Sequence, residues 1–248
     1  MEKATTAKNT FTTRALLISL AVLILCSVAN WGVITGWGNV KITRITLVGD
    51  DGLQRSALLY VPSNASNETP APAIMMYHGL SGSARNHESW AVEFARRGFV
   101  CLAPDNMGAG DAQFCEANGE FDPAIPNSFT NYLLGLPFVD TKRWAVSGHS
   151  LGADSSLAMA LKYQPPVAMF SDGGSMTFSK NVNEENYYHG NFMFLLGMVD
   201  KSCQPEDMDN MVQTMLGLNG VHTDEIVPGE LYGSFEEGNA GKVVWIPN

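Results

Sequence analysis

Five residues, Gly148-His149-Ser150-Leu151-Gly152, set a hydroxyl between two glycines at fixed spacing. They follow a short apolar run, Arg143 to Ser147 (RWAVS), and open a helical pattern, Ala153 to Tyr163. A serine on such a strand-to-helix turn is pushed up above the sheet edge, over a helix N-terminus, where its oxygen can attack a carbonyl carbon. The turn is so tight that only hydrogen fits two places before the serine and two places after it, which Gly148 and Gly152 satisfy. The pentapeptide alone arises by chance and would then be an ordinary turn; the strand before and the helix after are what give it chemical meaning. That chemistry is acyl transfer through a covalent ester on Ser150.

A second segment, Tyr77-His78-Gly79-Leu80-Ser81-Gly82, directly follows the apolar run AIMMY. A loop in this place can donate a backbone N–H to the oxyanion of a tetrahedral intermediate. The two donors expected are the N–H groups of Leu80 and Leu151, at which no particular side chain is needed. His78 is expected to shape this loop, His149 to point away from the serine, and His87 to sit on a surface helix.

These segments need a frame. Lys41 to Val48 alternates apolar and polar residues as a strand does, Asp50-Asp51-Gly52 is a turn, and Ser56 to Val61 completes a hairpin. Ala73 to Tyr77, Phe99 to Ala103, Arg143 to Ser147, Val167 to Phe170 and Phe192 to Leu196 read as strands buried on both faces, and Lys242 to Ile246 as the last strand. Helices are expected at Glu88 to Arg97, Phe129 to Leu136, Ala153 to Tyr163 and Asp207 to Leu218. A hairpin followed by alternating strands and helices predicts an α/β fold, a mostly parallel sheet covered on both faces.

The chain has 248 residues, room for one good-sized domain, and a formal net charge of -10, which disfavours nucleic acid as a partner. There is no P-loop, dinucleotide fingerprint or zinc spacing; Gly108-Ala109-Gly110 lacks the later glycine and the helix opening, so no cofactor or metal is expected. Cys26 and Cys101 lie in apolar runs and read as small buried residues, whereas Cys115 and Cys203 sit in polar surroundings and could pair in an oxidising compartment. Two sequons, at Asn64 and Asn67, matter only in a glycosylating host.

The N-terminus divides into a basic tail, residues 1–14 with Lys3, Lys8 and Arg14, and an apolar segment, residues 15–37. No charge occurs between Arg14 and Lys41. This is the pattern of a signal anchor, or of a signal peptide cleaved near Ala29; Cys26 follows Leu25, which argues against a lipoprotein site. By the positive-inside rule the tail is cytoplasmic and the domain, residues 38–248, lies outside, membrane-anchored or, after cleavage, secreted.

The segments APAIMMYHGLSG, FARRGFVCLAPDNMGAGD, LPFVDTKRWAVSGHSLG and FMFLLGMVDKSC together resemble the dienelactone-hydrolase-like branch of the α/β-hydrolases, in its membrane-anchored bacterial type. Dienelactone hydrolases proper use a cysteine nucleophile where this chain has Ser150, so their substrate is not carried over. The resemblance implies an α/β-hydrolase fold with the triad acid after the seventh strand, at Asp200; Asp172 is the alternative, and Glu206 and Asp207 read as helix caps. It also implies a histidine base beyond the last strand, a few residues past Asn248, so the C-terminal part, with a helix that covers apolar sheet, is expected to be missing. His222 keeps the order Ser150, Asp200, His222 and is the fallback; His189 precedes the acid. Three functions stay open: a serine hydrolase of small or exposed carboxylic esters, a peptidase of the same fold, or a catalytically impaired membrane-tethered binding module.

Overall fold

The computed structural model describes residues 2–48, 54–80, 82–105, 124–171, 182–197, 214–215, 217–218 and 241–246. Among them a single sheet of eight strands runs in the order β1-β2-β4-β3-β5-β6-β7-β8. The strands are β1 Val40–Val48, β2 Gln54–Pro62, β3 Ala71–Tyr77, β4 Val100–Pro104, β5 Val139–His149, β6 Val167–Ser171, β7 Asn191–Gly197 and β8 Gly241–Ile246. Only β2 runs against its neighbours β1 and β4; every pair from β4 through β8 is parallel.

The helices are α1 Glu2–Thr35, α2 Glu88–Arg96, α3 Ala124–Leu134 and α4 Leu151–Tyr163. From β3 the chain crosses through α2 to β4 on one side, whereas from β5 it crosses through α4 to β6 on the other. Right-handed crossovers in opposite directions put α2 and α4 on opposite faces of the sheet. The core divides accordingly. Ile74, Met76, Cys101 and Ala103 pack with Ala91, Val92 and Ala95 of α2. Met75, Tyr77, Val146, Phe170 and Phe194 pack with Ala153, Leu157 and Ala160 of α4. Alternation along β3 sends successive side chains to the two cores, as a central strand requires.

Cys101 is buried in β4 as its apolar run suggests, but Cys26 is exposed on α1. Helix α1 stands clear of the domain over that stretch, leaving Leu16, Leu20 and Ile24 exposed as well. Helix α1 runs from the basic tail into the apolar segment. Within α1, Thr12–Thr35 is long and apolar enough to cross a membrane. Helix α3 starts five residues before the expected Phe129, at Ala124. A 3-10 turn at Ala84–His87, capped by the Ser83 side chain, precedes α2 without an apolar pattern to announce it. The turn Asp50-Asp51-Gly52, Cys115, Cys203, Gly108 to Gly110 and most of the helix expected at Asp207 to Leu218 lie outside the described residues; 214–215 and 217–218 are helical.

Asp105, immediately after β4, is the polar tie between the hairpin and the loop after β3. Its buried carboxylate accepts from Ser56 Oγ at 2.6 Å, the Ala84 N–H at 2.7 Å and Arg44 Nη1 at 3.3 Å. Removing the acceptor strands two buried donors and a guanidinium. Asp105→Ala is therefore expected to destabilise the domain by about 3 kcal/mol, measured by urea unfolding of the detergent-solubilised chain.

Candidate active site

β3 and β5 are parallel neighbours with Tyr77 level with Gly148, so the loops that follow them leave the same sheet edge side by side. This is also where the crossovers diverge, the switch point at which open α/β sheets hold ligands. β6 and β7 point their carboxyl ends the same way, ending at Ser171 and Gly197. Both candidate acids, Asp172 and Asp200, follow these strands in the chain and lie outside the described residues, as does His222.

Ser150 stands between β5 and α4 with φ 53° and ψ -124°. A non-glycine residue with positive φ is strained by roughly 1–3 kcal/mol and persists only where its surroundings impose it. The imposition comes from glycines. A methyl group on Gly148 would overlap the Gly152 carbonyl and come within 2.5 Å of Ser156 Oγ. One on Gly152 would overlap the Tyr77 carbonyl and lie 2.8 Å from that of His78. The start of α4 is thus pressed onto the end of β3, and the serine is lifted out of the turn. Gly152 to Ser156 are all buried, small residues that permit this approach.

Gly79 closes the other side. A methyl there would sit 3.2 Å from Ser150 Cβ and 3.3 Å from the His149 carbonyl oxygen. Leu80 follows and is 79% exposed. Leu151 is the first residue of α4, and the first N–H groups of a helix have no partner inside it. Leu80 thus follows Gly79 in the loop after β3, and Leu151 follows Ser150 as the start of α4.

The histidines divide by task. His78 is buried and its Nδ1–H donates to the Gly79 carbonyl at 2.7 Å, shaping the loop as expected. Its ring also leaves room only for a glycine at Gly82, where a methyl would lie 2.8 Å from Nδ1. His149 is exposed beside Ser150. His87 differs from its expected place on a helix surface. It ends the 3-10 turn half-buried, and its Nε2–H donates to the Tyr77 carbonyl at 2.9 Å, because the turn swings it back under the strand end. His189 lies against Tyr187 in a tilted contact, with ring centroids 4.1 Å apart. Among the described residues no histidine is hydrogen-bonded to Ser150.

The hydrogen bonds of His87 to Tyr77 and of Asp105 to Ser56 and Ala84 support the loop after β3, and sequence patterns alone missed them. The one available signal was Pro104-Asp105 after a buried strand, which places an acceptor at a sheet edge. A cavity of about 370 Å³ opens beside the turn on the α2 side. Gly79, His87 and His149 bound it near the serine, and Met76, Trp90 and Leu195 further in.

The family described as alpha/beta hydrolase fold matches residues 72–191. By sequence, no curated protein matches the chain. Among solved structures, an acetyl xylan esterase from a Thermoanaerobacterium species superposes with a TM-score of 0.61 at 14% identity, covering 85% of this chain and 78% of that one. An esterase from Pyrococcus furiosus gives 0.61 at 12% identity, covering 84% and 83%. A Bacteroides ovatus protein assigned provisionally as a dipeptidyl aminopeptidase IV gives 0.61 at 14% identity; this chain spans 32% of its length. The chain has the α/β-hydrolase fold.

Two outcomes follow from this geometry. Ser150→Gly relieves the positive φ and is expected to raise stability by about 1 kcal/mol over Ser150→Ala in thermal unfolding, while both abolish any serine chemistry. Burial lowers the pKa of His78 and of His87, against the hydrogen bonds to Gly79 and Tyr77 that raise them. The folded state thus binds fewer protons than the unfolded one below about pH 6.5. Stability is expected to fall as pH drops from 7 through that range, and His87→Gln to flatten the dependence of Tm on pH.

Proposed function

We propose that the chain is a serine hydrolase of carboxylic esters, working through an acyl-enzyme on Ser150. The observation that carries this reading is the strained backbone of Ser150 between Gly148 and Gly152, at the start of α4 and against Gly79. A strain of that size is kept where the serine hydroxyl must stand clear of the sheet.

In this mechanism a histidine takes the Ser150 proton as Oγ attacks the ester carbonyl carbon. Charge gathers on the carbonyl oxygen and is met by the Leu80 and Leu151 amides. The carbon–oxygen bond to the leaving alcohol breaks and the alcohol receives the proton, leaving the acyl group on Ser150. Water, deprotonated by the same base, then attacks the acyl carbon and releases the acid. Asp200 orients the base and stabilises its cation, and Asp172 is the alternative acid. His222 follows Asp200 in the chain and is the first histidine to test as base. The solved esterases of similar fold support an ester substrate.

Helix α1 is proposed as an anchor, with Lys3, Lys8 and Arg14 on the cytoplasmic side and the domain outside. The branch resembling dienelactone hydrolases remains part of this reading, with Ser150 replacing their cysteine. A second reading is a tethered binding module that holds ligands without turnover. A peptidase of the same fold differs from the first reading only in substrate.

The test is hydrolysis of p-nitrophenyl acetate by the detergent-solubilised chain. Loss of a triad member costs several orders of magnitude. Ser150→Ala is expected to lower kcat at least a thousandfold, with Asp200→Asn and His222→Ala each showing a large loss if it fills its role. Turnover equal in wild type and Ser150→Ala would leave the binding module. Cleavage of peptide p-nitroanilides in preference to esters would favour the peptidase.

A further inference from the structure

A second cavity lies away from Ser150, at the foot of the N-terminal helix. It encloses about 440 Å³ and is lined by Gly36, Asn39, Ser63, Asn64, Arg96 and Arg97, among others. We propose that it binds the phosphodiester of a phospholipid headgroup, gripped by the guanidinium groups of Arg96 and Arg97. This rests on the reading of α1 as a membrane anchor.

Depth is the first argument. The apolar part of α1, Thr12–Thr35, has 24 residues, a length of about 36 Å, which more than spans a hydrocarbon core of about 30 Å. Its end therefore enters the headgroup layer. Two tryptophans mark that level: Trp31 and Trp37 are both exposed, and their rings meet edge to face at 6.4 Å. Tryptophans at such a position are interface anchors. Gly36, beside them in the chain, is also a wall of the cavity.

The exit of the helix holds the cavity in place. Gly36, Trp37 and Gly38 all have positive φ, and Trp37 N–H donates to the Gly32 carbonyl at 2.9 Å. This sharp turn brings β1 within four residues of the helix end, and the Asn39 carbonyl accepts from the Ser63 N–H at 2.8 Å. A methyl on Gly36 would lie 3.4 Å from Arg96 Nε, so the guanidinium sits against the helix exit itself. The domain is thereby docked with its arginine pair turned toward the level of the headgroups.

Charge is the second argument. Although the chain is acidic as a whole, the ionic groups at this cavity among the described residues are Arg96 and Arg97 in its wall and Glu93 paired to both. Glu93 bonds to Arg96 Nη1 at 2.9 Å and to Arg97 Nη1 at 2.6 Å. The Glu93 carbonyl also accepts from Arg97 Nη1. These bonds engage one nitrogen on each guanidinium, and a guanidinium carries five N–H donors in a planar fork suited to phosphate oxygens. One net positive charge at the bilayer surface favours an anionic lipid.

The experiment uses the full chain. Membranes are washed with alkaline carbonate and the intact mass of the retained protein is measured. A chain absent from the membrane, or lacking its first residues, overturns the anchor and with it this site. The retained protein is then stripped of lipid in maltoside detergent. Its thermal stability is followed with added phosphatidylglycerol, diacylglycerol or inorganic phosphate. Stabilisation by phosphatidylglycerol is expected, with apparent affinity reduced roughly tenfold or more in the double variant Arg96→Gln/Arg97→Gln. Glu93→Gln removes both ion pairs but neither guanidinium and is expected to keep the effect; losing it there would make the arginines structural and overturn the site. Equal stabilisation by diacylglycerol, or by inorganic phosphate, would also overturn it, the first showing apolar contact alone and the second a free-anion site.

Discussion

The backbone at the end of β3 touches the backbone that opens α4, and nothing larger than hydrogen fits between them. Gly152 faces the Tyr77 and His78 carbonyls, Gly148 faces Gly152, and Gly79 faces Ser150. Close packing of this kind has no slack, because interiors are as dense as organic crystals. The positive φ of Ser150 and the burial of the first turns of α4 both depend on it. Around this contact stand two supports. His87 fixes the Tyr77 carbonyl, and Asp105 fixes the 3-10 turn through the Ala84 N–H. Neither touches Ser150, yet each holds a wall of the turn in which it sits.

Much of the frame was legible in the residues. Continuous apolar runs such as AIMMY and FVCLA marked strands covered on both faces, and the hairpin and the order of helices followed from alternation. The elbow was legible because tight backbone contact demands glycine, and glycine at fixed spacing is visible in a sequence. What stayed hidden has one physical cause: long-range pairing leaves no local pattern. Asp105 meets Ser56 and Ala84 only after the sheet has formed, and His87 reaches Tyr77 only through a 3-10 turn too short to carry a periodicity. Cys26 was misplaced for the opposite reason, since an apolar neighbourhood suggests burial whether the covering is protein or lipid.

The molecule joins two regions with different demands. The sheet hides its apolar residues in two cores, whereas α1 displays them along its whole outer length. Three consecutive residues of positive φ separate the two, so the helix meets the domain through a fixed bend and not a loose tether. On the proposed anchor reading, such a join sets the height of the domain above a bilayer.

The central claim is that Ser150 is the nucleophile, and locating a covalent adduct tests it most directly. The full chain is treated with a fluorophosphonate, digested with trypsin, and the peptide Trp144 to Lys162 sequenced by mass spectrometry. That peptide also contains Ser147, Ser155 and Ser156, all buried, which serve as internal controls. The account predicts one phosphonate, on Ser150. An adduct on another residue, or none on a folded chain, would contradict it.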